Sequence, residues 1–163
     1  MIIVAANSEH HESLTDLLYE LHIFYNEEPT VTRAEVLTHL VENLLAPDSG
    51  LHLIVALDSN NTVVGLVALV LMYSLVESSI THRKQCNLKE LYVRANYRNL
   101  GIGQALLASA ANFALANGCG RMDWNVKASN MRGIKFYESL GGELVADRMS
   151  FRMSREQLSK IVQ

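Results

Sequence analysis

A glycine-containing turn between a predicted strand and a predicted helix is the part of the sequence best suited to bind an anion. Residues 88–93 mix apolar, β-branched and aromatic side chains, as a strand does, and an alanine- and leucine-rich helix begins at Gln104. Between them lies Arg98-x-x-Gly101-x-Gly103. Because glycine has no Cβ, the backbone can approach a ligand closely, and the first amides of a helix point outward without a partner. The sequence therefore predicts an anion site at this turn.

The residues that follow these glycines exclude two common phosphate-binding motifs. A dinucleotide-binding fingerprint needs a third glycine at the position that Leu106 occupies. A Walker loop ends in Gly-Lys-Ser or Gly-Lys-Thr, and neither triplet occurs in the chain. The turn therefore belongs to another class of anion site.

Length, composition and charge predict one globular domain that contains residues 1–163. The chain is 49% hydrophobic and 19% charged, which is typical of a folded, soluble protein. Its longest apolar run, residues 63–73, is too short to cross a bilayer, so we expect no membrane partner. A net charge of −3 provides no basic surface for nucleic acid, so we expect no nucleic-acid partner.

The cysteines and histidines predict neither a disulfide nor a metal site. Cys86 and Cys119 fit no ligand or disulfide framework, and the six histidines show no metal-ligand spacing. Polar residues 7–9 follow the first apolar segment at once, so we expect no signal peptide. Together these patterns predict a protein of the reducing cytoplasm that uses no metal.

Apolar periodicity and turn residues predict an α/β fold whose sheet is mostly antiparallel. The predicted strands are residues 2–5, 51–57, 62–71, 88–93, 121–126, 144–146 and 149–153. Helices are predicted after Asn7 or Ser8, after the Thr32–Glu35 capping box, after the glycine turn, after Ser129 or Asn130, and after the Ser154–Gln157 capping box. Residues 72–84 are predicted to form a loop that leads into the central strand, residues 88–93.

Two motifs follow one another along the second half of the chain. Residues 98–103 read Arg-Asn-Leu-Gly-Ile-Gly, directly after a strand and a short polar turn. Residues 124–130 read Trp-Asn-Val-Lys-Ala-Ser-Asn, and residues 136–141 close the next helix as Phe-Tyr-Glu-Ser-Leu-Gly. In this order and spacing the motifs resemble the two signatures of the GNAT superfamily, the acetyl-CoA-dependent N-acetyltransferases.

This resemblance implies a GNAT-like single domain with a mixed, mostly antiparallel sheet of about six or seven strands flanked by helices. Acetyl-CoA, the cosubstrate, would lie between the fourth and fifth strands. Its pantetheine arm would pair with the backbone of Leu91, Tyr92 and Val93 like an added strand. Its pyrophosphate would be held by the Arg98 side chain and by the backbone amides of Asn99, Leu100, Gly101, Ile102, Gly103 and Gln104. Asn130 would bond the coenzyme, cap its helix, or do both.

The resemblance also implies an acetyl transfer in which a primary amine attacks the thioester carbonyl directly. The amide of Val93 would donate to the oxyanion of the tetrahedral intermediate, and Tyr137 would protonate the leaving thiolate. An alkylammonium group has a pKa of about 10.4, so a base must take a proton before attack. Glu90, three residues before Val93, is the candidate base, acting directly or through a water.

Within the superfamily the chain is most similar to the diamine and thialysine acetyltransferases, which implies a small amine of polyamine or thialysine type as substrate. Glu27 and Glu28 either bind a distal ammonium of that substrate or form an exposed acidic linker. The diamine enzymes carry Leu-Glu-Asp on the central strand, whereas this chain carries Leu88-Lys89-Glu90. Lys89 therefore occupies the position of the glutamate in those enzymes.

Two other functions remain open at this point. Other enzymes of this fold acetylate peptide N-termini, protein lysines or aminoglycosides. The loop at residues 72–84 would decide how open the site is, and so which kind of substrate fits. A coenzyme-binding sensor without catalysis is a third possibility, although binding alone would not need Tyr137. The family resemblance further implies a homodimer.

Overall fold

The structure, a computed structural model, describes residues 1–26 and 28–162. These residues form two compact units, Met1–Asn125 and Val126–Gln163. Glu27, one of the two acids predicted to contact substrate, lies outside the described residues.

The first unit is built on a sheet of five strands in the described part of the chain, in the spatial order β1-β2-β3-β4-β5. The strands are β1 (Ile2–Ala5), β2 (Leu51–Leu57), β3 (Val63–Tyr73), β4 (Lys84–Val93) and β5 (Arg121–Trp124). The first four pair antiparallel and β5 pairs parallel to β4. The predicted hairpin of β2 and β3 is confirmed. Its turn is closed by the carboxylate of Asp58, which accepts from the amides of Asn60 and Thr62.

The first unit has three α-helices within the described residues: α1 (His11–Asn26), α2 (Arg33–His39) and α3 (Ile102–Ala116). Helices α1 and α3 pack on the two faces of the sheet, and α2 packs against α1. A helical turn at Leu40–Leu44 continues α2 and adds Leu40 to the core on the α1 side. Leu106 and Ala110 of α3 are fully buried in the core on one face. Leu14 and Leu17 of α1 are equally buried in the core on the other face. The predicted capping box of Thr32 and Glu35 begins α2. The sheet therefore separates an α3 side from an α1–α2 side. None of the helices within the described residues is long and apolar enough to span a bilayer.

A bulge interrupts the pairing of β3 with β4 at Lys89. Glu90 pairs with Ala68, and Leu88 pairs with Leu69, the residue after Ala68. Lys89 therefore has no partner on β3 and is an extra residue on β4. The extra residue shifts the alternation of side chains between the two faces of the sheet. Leu88 packs into the core beneath α3, and residues 90 and 92 then turn towards α1. Lys89 itself is exposed.

The second unit contains two helices within the described residues, α4 (Met131–Ser139) and α5 (Arg155–Ile161). The predicted caps are confirmed, because Asn130 caps α4 and Ser154 forms a capping box with Gln157 at α5. The chain leaves α4 at Gly141, whose φ of 87° lies in the left-handed region that glycine tolerates.

The prediction of strands at residues 144–146 and 149–153 is wrong, and the described sheet has five strands rather than about six or seven. The apolar alternation that suggested the last strand is present, but Met149 and Phe151 are 86% and 92% exposed. A strand is held by a hydrogen-bonded neighbour and by burial of one face, and the alternation by itself provides neither. Smaller differences are that β5 ends at Trp124 and that α3 begins two residues earlier than predicted.

Candidate active site

The glycine turn presents the backbone amides that the sequence predicted. Asn99 and Gly101 adopt left-handed conformations, with φ of 64° and 78°, and Gly101 is the N-cap of α3. The helical hydrogen bonds begin with the amide of Ala105, which donates to the carbonyl of Gly101. No side chain of the described residues caps this end of α3. The amides of residues 102–104 therefore precede the helical ladder and are suited to hold an anion.

Two hydrogen bonds tie this turn to the sheet. Arg98 Nε donates to the carbonyl of Val93 at 2.9 Å, and its guanidinium lies 5.7 Å from the ring centroid of Tyr92. Tyr97 Oη donates to Asp58 Oδ2 at 3.0 Å, which joins the turn to the β2–β3 hairpin. The sequence contained no signal for either contact, because both join positions on different elements. Arg98 thus has a structural role at the end of β4 that its predicted phosphate contact did not include.

The carboxyl-terminal half of β4 has an open edge, in that no strand of the described residues pairs with this edge beyond Leu88. Pairing with β5 ends where Leu88 meets Trp124, so residues 89–93 run past the described end of β5. The amide of Arg94 donates to the carbonyl of Val64, and in an antiparallel ladder alternate residues face the partner strand. The amides of Leu91 and Val93 therefore point away from β3, towards the open edge. An extended ligand could pair with the Val93 amide as an added strand would.

Glycine is required where β3 supports this part of β4. Gly65 lies opposite Val93, and a Cβ on Gly65 would come within 3.0 Å of both the Tyr92 carbonyl and Leu106 Cδ1. A larger residue would fit only if the Tyr92 carbonyl and the Leu106 side chain moved by a few tenths of an ångström. The position of the Val93 amide therefore depends on close packing on the other side of the strand.

Glu90 lies on the α1 side of the sheet and is partly buried. Tyr25 Oη, from the last turn of α1, lies 3.2 and 3.1 Å from its two carboxylate oxygens and donates to them. Burial raises the pKa of Glu90, while the hydrogen bonds from Tyr25 and from the Leu91 backbone oppose the shift and lower it. A carboxyl group with a raised pKa is better matched to proton transfer near neutral pH than an ordinary one. Tyr25 is a site residue that the sequence did not indicate.

A cavity of about 420 Å³ opens beside Glu90, between α1, α2 and β4. Its aliphatic lining consists of Leu18, Leu21, Val31, Val36 and Leu44. Glu35 and Glu90 are the carboxylates in its wall, and Tyr25, His22 and His39 also line it. The volume lies within the range of small-molecule sites. Glu28, the second predicted substrate residue, is exposed and is not among the lining residues.

Tyr92 and Arg94 fasten the end of β4 to α1 through Glu20. Tyr92 Oη donates to Glu20 Oε1 at 2.7 Å, and Arg94 Nε lies 3.4 Å from Glu20 Oε2. Burial raises the pKa of Tyr92 to about 12, and the hydrogen bond to Glu20 adds to the shift. The side chain of Tyr92 is therefore structural, and only its backbone is available to the predicted coenzyme.

In the second unit, Asn130 and Tyr137 belong to the same helix, α4. Asn130 Oδ1 accepts from the amide of Gly133 at 2.9 Å, so its predicted role as a helix cap is confirmed. Tyr137 is partly buried and its ring meets that of Phe136 edge to face, with centroids 5.2 Å apart. Contact of either residue with a coenzyme stays a prediction.

Comparisons with known proteins agree with the arrangement of these elements. Residues 13–142 match the acetyltransferase (GNAT) family. An L-ornithine N5-acetyltransferase of Arabidopsis thaliana is 31% identical over 74 residues, which cover 45% of this chain and 32% of that protein. A thialysine N-epsilon-acetyltransferase of Mus musculus is 31% identical over 98 residues, covering 55% of this chain and 54% of its own length. The chain thus matches about half or less of the length of these curated relatives.

A solved structure is similar over almost the whole chain. It is an integron cassette protein from the mobile metagenome of Vibrio cholerae, with a TM-score of 0.88 and 25% identity. The similarity covers 99% of this chain and 97% of that one. The mixed α and β architecture of the fold is therefore shared with a known structure.

Proposed function

Because the chain belongs to the GNAT family of acetyltransferases, we propose that it transfers the acetyl group of acetyl-CoA to a primary amine of a small molecule. The observation that carries this proposal is the placement of Glu90. Its carboxyl group, with a raised pKa, lines a cavity of small-molecule size and lies three residues before the Val93 amide at the open edge of β4. A proton acceptor and an oxyanion donor are thus carried by one rigid strand.

In this proposal the coenzyme binds along β4 and at the start of α3. The backbone of residues 91–93 pairs with the pantetheine arm, because the amides of Leu91 and Val93 face the open edge. The amides of residues 99–104 and the side chain of Arg98 hold the pyrophosphate, for which an uncapped helix start is suited. Asn130 adds a contact to the coenzyme while capping α4.

The chemical step uses one proton acceptor, one oxyanion donor and one proton donor. Glu90 takes the proton of the attacking ammonium, directly or through a water, which an ammonium pKa of about 10.4 makes necessary. The amine then attacks the thioester carbonyl, and the amide of Val93 donates to the oxyanion that forms. As the intermediate collapses, the C–S bond breaks and Tyr137 protonates the departing thiolate, whose thiol form has a pKa of about 8.5. The nitrogen loses its second proton in the same collapse, to solvent or back to Tyr137, which leaves a neutral amide.

The substrate we propose is a small amine of polyamine or thialysine type. The two relatives named above are acetyltransferases of ornithine and thialysine, which are both small amines. The exposed position of Lys89 on the bulge keeps its charge in solvent, so Lys89 is not an obstacle to a cationic substrate. A homodimer and a cytoplasmic location complete the proposal.

Release of free thiol from acetyl-CoA by the purified protein tests the proposal. The amines to compare are spermidine, putrescine, thialysine, lysine, an aminoglycoside and a lysine-containing peptide. We expect turnover on at least one of the small aliphatic amines and little on the peptide. Coenzyme binding without turnover on any amine would indicate a sensor instead. Turnover confined to the peptide or the aminoglycoside would mean that the substrate is not a small aliphatic amine.

A further inference from the structure

The cavity beside Glu90 carries a second carboxylate, that of Glu35, in a very different environment. Glu35 is at the third position of α2, where Oε2 accepts from both the amide and the hydroxyl of Thr32, at 2.6 and 2.8 Å. The amide of Glu35 in turn donates to the hydroxyl oxygen of Thr32 at 3.2 Å. This reciprocal pair holds the Glu35 side chain in place at the wall of the cavity.

The surroundings of the two carboxyl groups push their pKa values apart. Burial raises the pKa of Glu90, whereas hydrogen bonds from the backbone and side chain of Thr32 lower the pKa of Glu35. Two carboxyl groups in one site with opposite shifts are suited to different roles. Glu90 is suited to exchange a proton, and Glu35 is suited to remain an anion throughout the reaction.

Part of the wall that the two carboxylates share is aliphatic. Leu21, Val31 and Val36 line the cavity together with Glu35 and Glu90. Such a wall favours methylene groups, because their transfer out of water lowers the free energy. A cavity with carboxylates and an aliphatic lining fits a flexible chain that is charged at both ends.

We propose that Glu35 binds the second ammonium group of a linear diamine whose first amine lies at Glu90 and is acetylated. This inference rests on the proposed function and adds a specificity-determining residue to it. The sequence had pointed to Glu27 and Glu28 for this role, but Glu28 does not line the cavity and Glu27 lies outside the described residues. Glu35 had been predicted only as part of a capping box.

The test compares cadaverine with pentylamine, which has the same carbon chain and no second ammonium. Glu35→Gln removes the charge but keeps an oxygen that can accept from Thr32, because glutamine also forms capping boxes. His22 and His39 line the same cavity, so every variant is assayed at one fixed pH. Glu42→Gln, on an exposed residue outside the cavity, is the matched control.

We expect Glu35→Gln to raise the KM for cadaverine about fivefold, the upper range for an ion pair open to solvent. The KM for pentylamine and both kcat values should stay close to those of the wild-type protein, as should the melting temperature. Glu42→Gln should change none of these quantities. The wild-type protein should also have a lower KM for cadaverine than for pentylamine.

Three results would overturn the inference while leaving the proposed function intact. They are an equal effect of Glu35→Gln on both amines, no effect on either amine, and a selective loss with cadaverine in Glu28→Gln alone. If the wild-type protein binds acetyl-CoA but turns over no amine, the proposed function fails and the inference fails with it. If the melting temperature of Glu35→Gln drops, the substitution has also weakened the cap of α2. Glu35→Asp, which keeps the charge but shortens the side chain, then distinguishes the effect of the charge from the effect of the cap. In that case the inference predicts that Glu35→Asp retains the preference for cadaverine, and its loss would contradict it.

Discussion

The hydroxyl of Tyr25 donates to the carboxylate of Glu90, 3.1 and 3.2 Å from its two oxygens, although the residues are 65 positions apart. The contact joins the last turn of α1 to the central strand β4. It also limits how far burial can raise the pKa of Glu90, because the hydrogen bond stabilises the ionised carboxylate. The proton affinity of the proposed base is therefore set jointly by the sheet and by α1.

Tyr25→Phe should shift the pH dependence of the reaction to higher pH. Without the hydroxyl, the pKa of Glu90 rises further, since one of the groups that lowers it is lost. Because the base acts only when deprotonated, the rising limb of kcat/KM moves upward in pH. The measurement is the pH profile of kcat/KM for the best amine, with Tyr73→Phe on an exposed tyrosine as the control. If the rising limb of the pH profile does not move, the group that titrates does not depend on the Tyr25 hydroxyl.

Glu90→Gln should lower kcat by about 10²–10⁴-fold, the usual contribution of a general base. The affinity for acetyl-CoA should be retained, because Glu90 faces the cavity and α1 rather than the glycine turn. Turnover by thiol release and coenzyme affinity by calorimetry provide the two readouts. Lys89→Gln, at the exposed neighbouring position, is the control and should remain close to the wild-type protein. Full activity of Glu90→Gln would mean that water or another group accepts the proton.

Arg98→Glu should weaken the binding of acetyl-CoA about tenfold or more, because it replaces a cation near the pyrophosphate site with an anion. The same change removes the bond from Arg98 to the Val93 carbonyl, so Arg98→Gln serves as a neutral comparison. Calorimetric titration with acetyl-CoA checks the effect, and Arg83→Glu in the exposed β3–β4 loop controls for net charge. Equal affinities in all variants would contradict an anion site at this turn.

Tyr137→Phe should reduce turnover by up to about 100-fold and leave acetyl-CoA binding unchanged, if its hydroxyl protonates the thiolate. The loss should shrink at high pH, where the thiolate is a stable leaving group without a proton. Tyr19→Phe on α1 is a matched control for the loss of one hydroxyl. Turnover that survives intact would assign Tyr137 to packing against Phe136 rather than to catalysis.

The sequence by itself determined the features that depend on short stretches of chain. The caps at Asn130, Thr32 and Ser154 were predictable because their donors and acceptors lie three residues apart. The glycine turn was predictable for the same reason, since a left-handed residue at Gly101 and uncapped amides after it are local properties. The motifs also identified the family without any knowledge of the packing.

Tertiary structure alone decided which face of the sheet Glu90 occupies. Simple alternation would place Glu90 on the same face as Leu88, beneath α3, but the bulge at Lys89 turns it towards α1. That bulge depends on how β3 pairs with β4, which no local pattern encodes. The contact of Glu90 with Tyr25 and the cavity that Glu90 shares with Glu35 likewise require elements far apart in the chain to meet. The wrongly predicted last strands have the same physical origin, since a strand exists only where another part of the chain pairs with it.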